Sequence, residues 1–295
     1  MLQVRSISRS FDDTLVLDDV SFDVTPGRVT GFVGANGSGK TTTMRIILGV
    51  LAAHGGTVTW RGGPVTQSVR QRFGYMPEER GLYPKMQVTE QIVYLGRLHG
   101  LDQATARRNT TALLDRLELT ERANDPVERL SLGNQQRVQI SAALVHEPDL
   151  LILDEPFSGL DPLAIETVSG VLREHAGRGV PVLFSSHQLD LVERLCDDLV
   201  IISGGAIAAT GSREALRSRF ATPRFQLEVA GDAGWVRDQP GVKVVELDGA
   251  RVVFDVDGEG GDPAQPVLAE AVRRGPVIRF GPVVPSLSEI FREVI

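Results

Sequence analysis

Apolar and polar positions alternate with a period of two over Leu15–Val24 and again over Thr57–Trp60, the pattern of strands with one buried face. A Pro26-Gly27 turn separates the first of these from Arg28–Val33, a β-rich run that stops at a glycine loop. Lys40–Leu51 then carries helical spacing, and from about Val88 to Val145 the whole stretch reads as helical. Within it Leu113, Leu114, Leu117 and Leu119 mark one amphipathic face, and Asp125-Pro126 interrupts the pattern. Strands are predicted at Leu150–Asp154 and Val180–Ser185, on either side of a helix over Leu163–Ala176. Alternation of strand, helix and strand indicates a parallel α/β sheet.

After about Arg217 the character changes. The remaining segment is rich in proline, with 7 of the chain's 16. Short strands are predicted at Phe225–Val229, Val242–Glu246, Arg251–Val256 and Val277–Phe280, with helices near Val267–Arg274 and Leu287–Ile295 and a glycine-rich turn at Gly258–Gly261. This predicts a second, small α+β domain over residues 218–295, following a larger α/β domain over residues 1–217.

The 295 residues suit one large and one small domain, and 42% apolar residues allow a sizeable core. With 31 Lys and Arg against 38 Asp and Glu, the net charge of −7 argues against a nucleic-acid partner, which demands surplus positive charge. Cys196 is the only cysteine, so no internal disulfide forms and a small buried apolar role is expected. The longest apolar runs, Ile46–Ala53 and Leu150–Leu153, fall well short of the roughly 18–20 residues that cross a bilayer. The N-terminus lacks the features of a secretory signal. A cytoplasmic protein is expected, with any membrane role exercised through a partner.

Two stretches carry chemistry on their own terms. Gly34-Ala35-Asn36-Gly37-Ser38-Gly39-Lys40-Thr41 fits G-x-x-x-x-G-K-[ST], after a strand and at the start of a helix. The glycines Gly34, Gly37 and Gly39 let backbone amides turn toward phosphate oxygens, and Asn36, Ser38 and Thr42 belong to the same cradle. Lys40 neutralises terminal phosphates and the Thr41 hydroxyl reaches Mg²⁺, so ATP with Mg²⁺ is the expected ligand. Leu150-Leu151-Ile152-Leu153-Asp154-Glu155 is an apolar strand ending in two carboxylates. In a parallel sheet such an end faces the crevice of the phosphate loop, so Asp154 serves the metal and Glu155 accepts a proton from water.

The order of motifs resembles the ATP-binding cassette (ABC) ATPases over about residues 1–217. Leu130-Ser131-Leu132-Gly133-Asn134-Gln135-Gln136-Arg137-Val138 is similar to their signature segment, usually L-S-G-G-Q followed by Q-R-V, with Leu132 and Asn134 departing from the usual Gly and Gln. The resemblance implies that Ser131, Gly133 and Asn134 bind the γ-phosphate of ATP held by an opposite subunit. Ser158-Gly159-Leu160-Asp161 resembles the family's D-loop, and His187 after Ser185-Ser186 matches its switch histidine. Phe11 stands where the family places an aromatic that stacks on adenine. Glu78, after Tyr75-Met76-Pro77, replaces the family's usual glutamine, and the resemblance implies that it contacts the metal or its water, where an ionised carboxylate only accepts hydrogen bonds. The phrase Pro77–Pro84 and the ending Pro285–Phe291 resemble the sodium- and drug-efflux branch.

The fold implied is a P-loop NTPase core with an antiparallel β subdomain and a helical subdomain near 85–145. The function implied is ATP hydrolysis for a separate membrane permease, most readily an exporter. The partners are permease subunits and a second ATPase chain, either another copy or a relative, at the inner face of the cell membrane. Motion would pass through Glu78–Met86, and the second domain would stabilise or regulate the dimer, or be purely structural. A soluble ABC ATPase acting on ribosomes or nucleic acid is the alternative. One cassette, no heptad run and one cysteine speak against it.

Overall fold

The computed structural model describes every residue except Arg80, 221–222, 257–263, Val284 and Ile295. The Gly258–Gly261 turn, Arg80 of the Pro77–Pro84 phrase and the last residue of the final helix therefore lie outside the described residues. The chain divides into two compact units, Met1–Arg213 and Glu214–Glu293.

The first unit opens with β1 (Leu2–Phe11), β2 (Thr14–Val24), β3 (Val29–Val33), α1 (Lys40–Ile47), β4 (Gly55–Trp60), the short β5 (Gly63–Pro64), one-turn α2 (Gln67–Arg70) and β6 (Phe73–Met76). Helices α3 (Val88–Leu98), α4 (Gln103–Arg116) and α5 (Leu132–Leu144) follow, with 3₁₀ turns between α4 and α5. Then come β7 (Leu150–Leu153), α6 (Pro162–Gly177), β8 (Val182–Ser186), α7 (Leu189–Leu195), β9 (Asp198–Ser203) and β10 (Ala206–Ser212). Strands β2, β1, β4 and β5 form an antiparallel sheet in that order, and a second sheet runs β10-β9-β3-β8-β7-β6, parallel except for β10. Every residue of β3, β7 and β8 is buried. Strands covered on both faces need such continuous apolar runs, which is why these three stand out in the sequence.

Gly31 in β3 shows how close the layers lie. A Cβ there would come 2.7 Å from Cys196 Sγ. Cys196 is buried, burial pushes its thiol up, and it behaves as the small apolar residue expected. Helix α1 stops at Ile47 rather than Leu51, because Gly49 turns left-handed (φ +67°) and its amide bonds back to Ile46 O at 2.9 Å. The helical stretch expected over 88–145, with its interruption at Asp125-Pro126, consists of three helices, with a further break between Leu98 and Gln103. Strands β1, β6, β9 and β10 were not predicted. The β9–β10 turn has Gly204 and Gly205 both at positive φ, the signature of a two-residue hairpin.

Beyond α8 (Arg213–Arg219), the second unit holds β11 (Arg224–Val229), β12 (Val242–Asp248), β13 (Arg251–Val256), α9 (Ala264–Arg274), β14 (Val277–Pro282) and α10 (Leu287–Val294). Its antiparallel sheet runs β12-β13-β11-β14 and buries Leu227, Val252 and Phe254 with Val267 and Ala271 of α9. Among the described residues, no helix of either unit is long and apolar enough to cross a membrane.

Candidate nucleotide-hydrolysis site

The phosphate loop is built by close packing. A Cβ at Gly34 would lie 2.5 Å from both Ile202 O and Ser38 Oγ, so the turn leaving β3 admits only glycine. Gly39 caps α1 at φ +107°, a left-handed conformation that presents the first helical amides outward. Lys40 is only 7% exposed, and its Nζ donates to Gly34 O (2.8 Å) and Ala35 O (3.0 Å), folding over its own loop. Burial lowers the Lys40 pKa, and the charges of Glu155, Asp154 and Glu78 oppose that shift.

Parallel pairing sets Leu153 of β7 beside Phe184 of β8, and the next residues on each strand meet. Ser185 Oγ donates to Asp154 Oδ1 at 2.5 Å and accepts the Glu155 N–H at 2.8 Å. Asp154 is 1% exposed, and its Oδ2 is buried with no partner among the described residues. Glu155 adopts φ +49°, an unfavourable backbone for a residue with a side chain. Its Oε1 lies 3.0 Å from His187 Nδ1, which donates to it. Burial raises the Glu155 pKa, while the His187 hydrogen bond pulls it back. A carboxylate held in this way is poised to accept a proton.

Phe11, Asn36, Gly37, Gly39, Lys40, Thr41, Thr42, Glu78, Asp154 and Glu155 line one cavity of about 490 Å³. Gly34 and Ser38 sit inside the loop beneath it, and His187 joins through Glu155. Ser131, Gly133 and Asn134 are not part of this cavity. Ser131 caps α5 by accepting the Asn134 N–H at 3.3 Å, and Gly133 backs onto Gly159, where a Cβ would approach within 3.4 Å of the carbonyl. Asp161 caps α6 by accepting from Ala164 N–H at 2.9 Å.

The donor set suits Mg²⁺. Asp154 Oδ2 is a buried, unpaired carboxylate oxygen, and Thr41 lines the same cavity. Among the described residues, no group of three or more His, Cys, Asp or Glu is arranged to hold a metal by itself. Mg²⁺ keeps several waters and takes much of its shell from phosphates, so one carboxylate and one hydroxyl suit it. Three positioning residues had no assigned role in the sequence reading. Gln136 of α5 donates to Glu155 O at 3.0 Å, Gln139 donates to Pro77 O at 2.7 Å, and Ser185 links the Asp154 carboxylate to the Glu155 backbone amide. Gln136 and Ser185 stand inside the quoted motifs, but only the tertiary structure gives them partners.

Residues 17–158 match the family described as ABC transporter, and residues 211–295 match the C-terminal domain described as ATP-binding protein DrrA1-3-like. The chain is 37% identical over 295 residues to an ABC transporter ATP-binding protein of Bacillus subtilis (strain 168), YhaQ, covering 100% of this chain and 98% of that one. It is 34% identical over 235 residues to the linearmycin resistance ATP-binding protein LnrL of the same organism, covering 78% and 76% of the two chains. A solved ATP-binding subunit of an ABC transporter superposes with a TM-score of 0.70 at 34% identity, covering 75% of this chain and 93% of that chain. The chain belongs to the ABC transporter family, as an ATP-binding subunit with the fold of an ABC ATPase.

Proposed function

We propose that the chain hydrolyses ATP to drive an exporter, as one of two cassettes that close head to tail on a membrane permease. The observation that carries this reading is the joining of Asp154, Glu155 and His187, through Ser185 and one hydrogen bond, to the cavity of the phosphate loop. The loop amides and Lys40 bind the phosphates, and Phe11 stacks on the base. Thr41 and Asp154 hold Mg²⁺, which draws charge from the phosphate oxygens when bound. Glu78 accepts hydrogen bonds from the water around it. Glu155 accepts the proton of the attacking water at a carboxylate oxygen, and His187 fixes that carboxylate and faces the γ-phosphate. Ser131, Gly133 and Asn134 complete the site of the facing cassette.

Export is favoured by the likeness to LnrL, named for linearmycin resistance, and to the DrrA1-3-like C-terminal domain. A groove of about 760 Å³, larger than the nucleotide cavity, includes Gln87, Tyr94 and Arg97 and starts directly after the Glu78–Met86 stretch. It is where a permease would engage that stretch.

Glu155→Gln tests the reading. ATP affinity should stay within about twofold while turnover falls at least about 100-fold, and the variant should elute as an ATP-dependent dimer. From gently solubilised membranes it should bring along a polytopic protein at comparable abundance. Undiminished turnover removes Glu155 from the chemistry, and recovery with ribosomes alone removes the permease.

A further inference from the structure

Arg9 stands outside every motif discussed above, yet its guanidinium lies over the Phe11 ring, with Cζ 4.9 Å from the ring centroid. The arginine head is tied down from the other side. Its Nη1 donates to Ala52 O at 3.1 Å and to His54 Nε2 at 2.9 Å, both in the segment between α1 and β4. Arg9 Nε is buried and makes no conventional hydrogen bond among the described residues. Phe11 itself is 43% exposed and contributes to the wall of the nucleotide cavity, whereas Arg9 does not. Phe11 thus borders both the guanidinium and the cavity.

We propose that Arg9 is a positioning residue for the base. It holds Phe11 as one layer of a guanidinium–aromatic–purine stack, with the purine of the nucleotide on the cavity side. This rests on the reading of Phe11 as the base-stacking residue. Two physical effects act together. A loose aromatic side chain must be immobilised when a ligand stacks on it, and a ring clamped beforehand avoids that cost. A cation on one face also withdraws π density, which suits the other face to an electron-rich purine. Arginine fits this place better than lysine, because its planar fork stacks on the ring and still donates to Ala52 and His54.

The test compares ATP with inorganic tripolyphosphate, which engages the phosphate loop but has no base to stack. Both dissociation constants are measured by calorimetry on the full chain in the same Mg²⁺ buffer. Arg9→Ala should weaken ATP about three- to fivefold, the worth of an exposed cation–π contact, and leave tripolyphosphate unchanged. Arg9→Lys should recover part of the loss. The unchanged tripolyphosphate value also shows that the variant is folded. Equal weakening of both ligands overturns the proposal in favour of a structural role, and so does unchanged ATP binding in Arg9→Ala while Phe11→Ala weakens ATP. If Phe11→Ala leaves ATP binding unchanged, the stacking role of Phe11 falls and this proposal falls with it.

Discussion

The phosphate-loop region and the signature region belong to the same reaction in the proposed dimer, yet they are built differently. Around the loop the functional groups are buried and held from several sides, with Lys40 folded on its own carbonyls and Ser185 tying Asp154 to Glu155. At the start of α5, the Ser131 hydroxyl makes only its helix-cap bond among the described residues, and Leu132 is 57% exposed. Exposed apolar side chains at a functional segment fit a surface that is completed by another molecule. The first region bears the cost of desolvation and backbone strain during folding. In the proposed dimer the second would meet a ligand that arrives on a partner.

The largest effect is expected where this difference is tested directly. Ser131→Asp keeps a good helix cap, since Asp accepts the Asn134 amide as Ser does, but sets a negative charge where a γ-phosphate should dock. Turnover should fall about 100-fold, equivalent to about 2.7 kcal/mol. The ATP affinity of the monomeric chain, measured by calorimetry with a slowly hydrolysed analogue, should not change. If the monomer loses affinity by the same factor, the segment serves its own chain's nucleotide and the contrast between the two regions disappears.

Legibility in the sequence follows the same divide between local and assembled features. The phosphate loop is contiguous, and its glycines, Lys40 and Thr41 are needed by backbone geometry within eight residues, so the pattern alone locates it. Asp154 and Glu155 are legible because an apolar strand must end somewhere and carboxylates there face a crevice. Ser185 is different. Its role depends on the register of β7 with β8, which no local pattern encodes. Gln136 and Gln139 likewise reach the site only because α5 packs beside β6 and meets the segments that follow β6 and β7. Strand β6, four residues long, is too short for its period to show. The β9–β10 hairpin did carry a signal in Gly204-Gly205, although β9 is buried along its centre rather than alternating.

The next effect concerns what joins the two regions. His146 lies just beyond the C-terminus of α5, the helix whose N-terminus is Ser131. It stacks on His99 at 3.7 Å between centroids, and its Nε2 donates to Phe73 O of β6 at 3.2 Å. Burial, followed by the nearby His99, lowers its pKa from 6.5 to about 4. The unfolded chain therefore binds a proton that the folded chain refuses between those values. Stability is intact above about pH 6.5 and declines as pH falls toward 4, by about 2 kcal/mol between pH 7 and pH 5. His146→Gln keeps a donor for Phe73 O but does not titrate. Denaturant unfolding at pH 7 and pH 5 should show a smaller loss for this variant than for the parent chain. An identical loss would place the acid sensitivity elsewhere and leave the joint at α5 without a proton-sensitive element.

The smallest effect probes how far the buried region depends on one hydroxyl. Ser185→Ala removes the donor to Asp154 Oδ1 and the acceptor of Glu155 N–H together, leaving two groups unpaired where water is excluded. That should cost about 1–3 kcal/mol, read as a lower melting temperature. Ligand dependence makes the measurement specific. In the parent chain the hydroxyl occupies Asp154 Oδ1 and leaves Oδ2 for a cation, so Mg²⁺ with ATP should stabilise it strongly. Without Ser185 the carboxylate is free to turn, and the added stabilisation by Mg²⁺ with ATP should shrink, while that by ATP in EDTA should not. Equal shifts in both conditions would mean that Ser185 supports the fold alone, and that the two carboxylates keep their aim through the β7–β8 backbone.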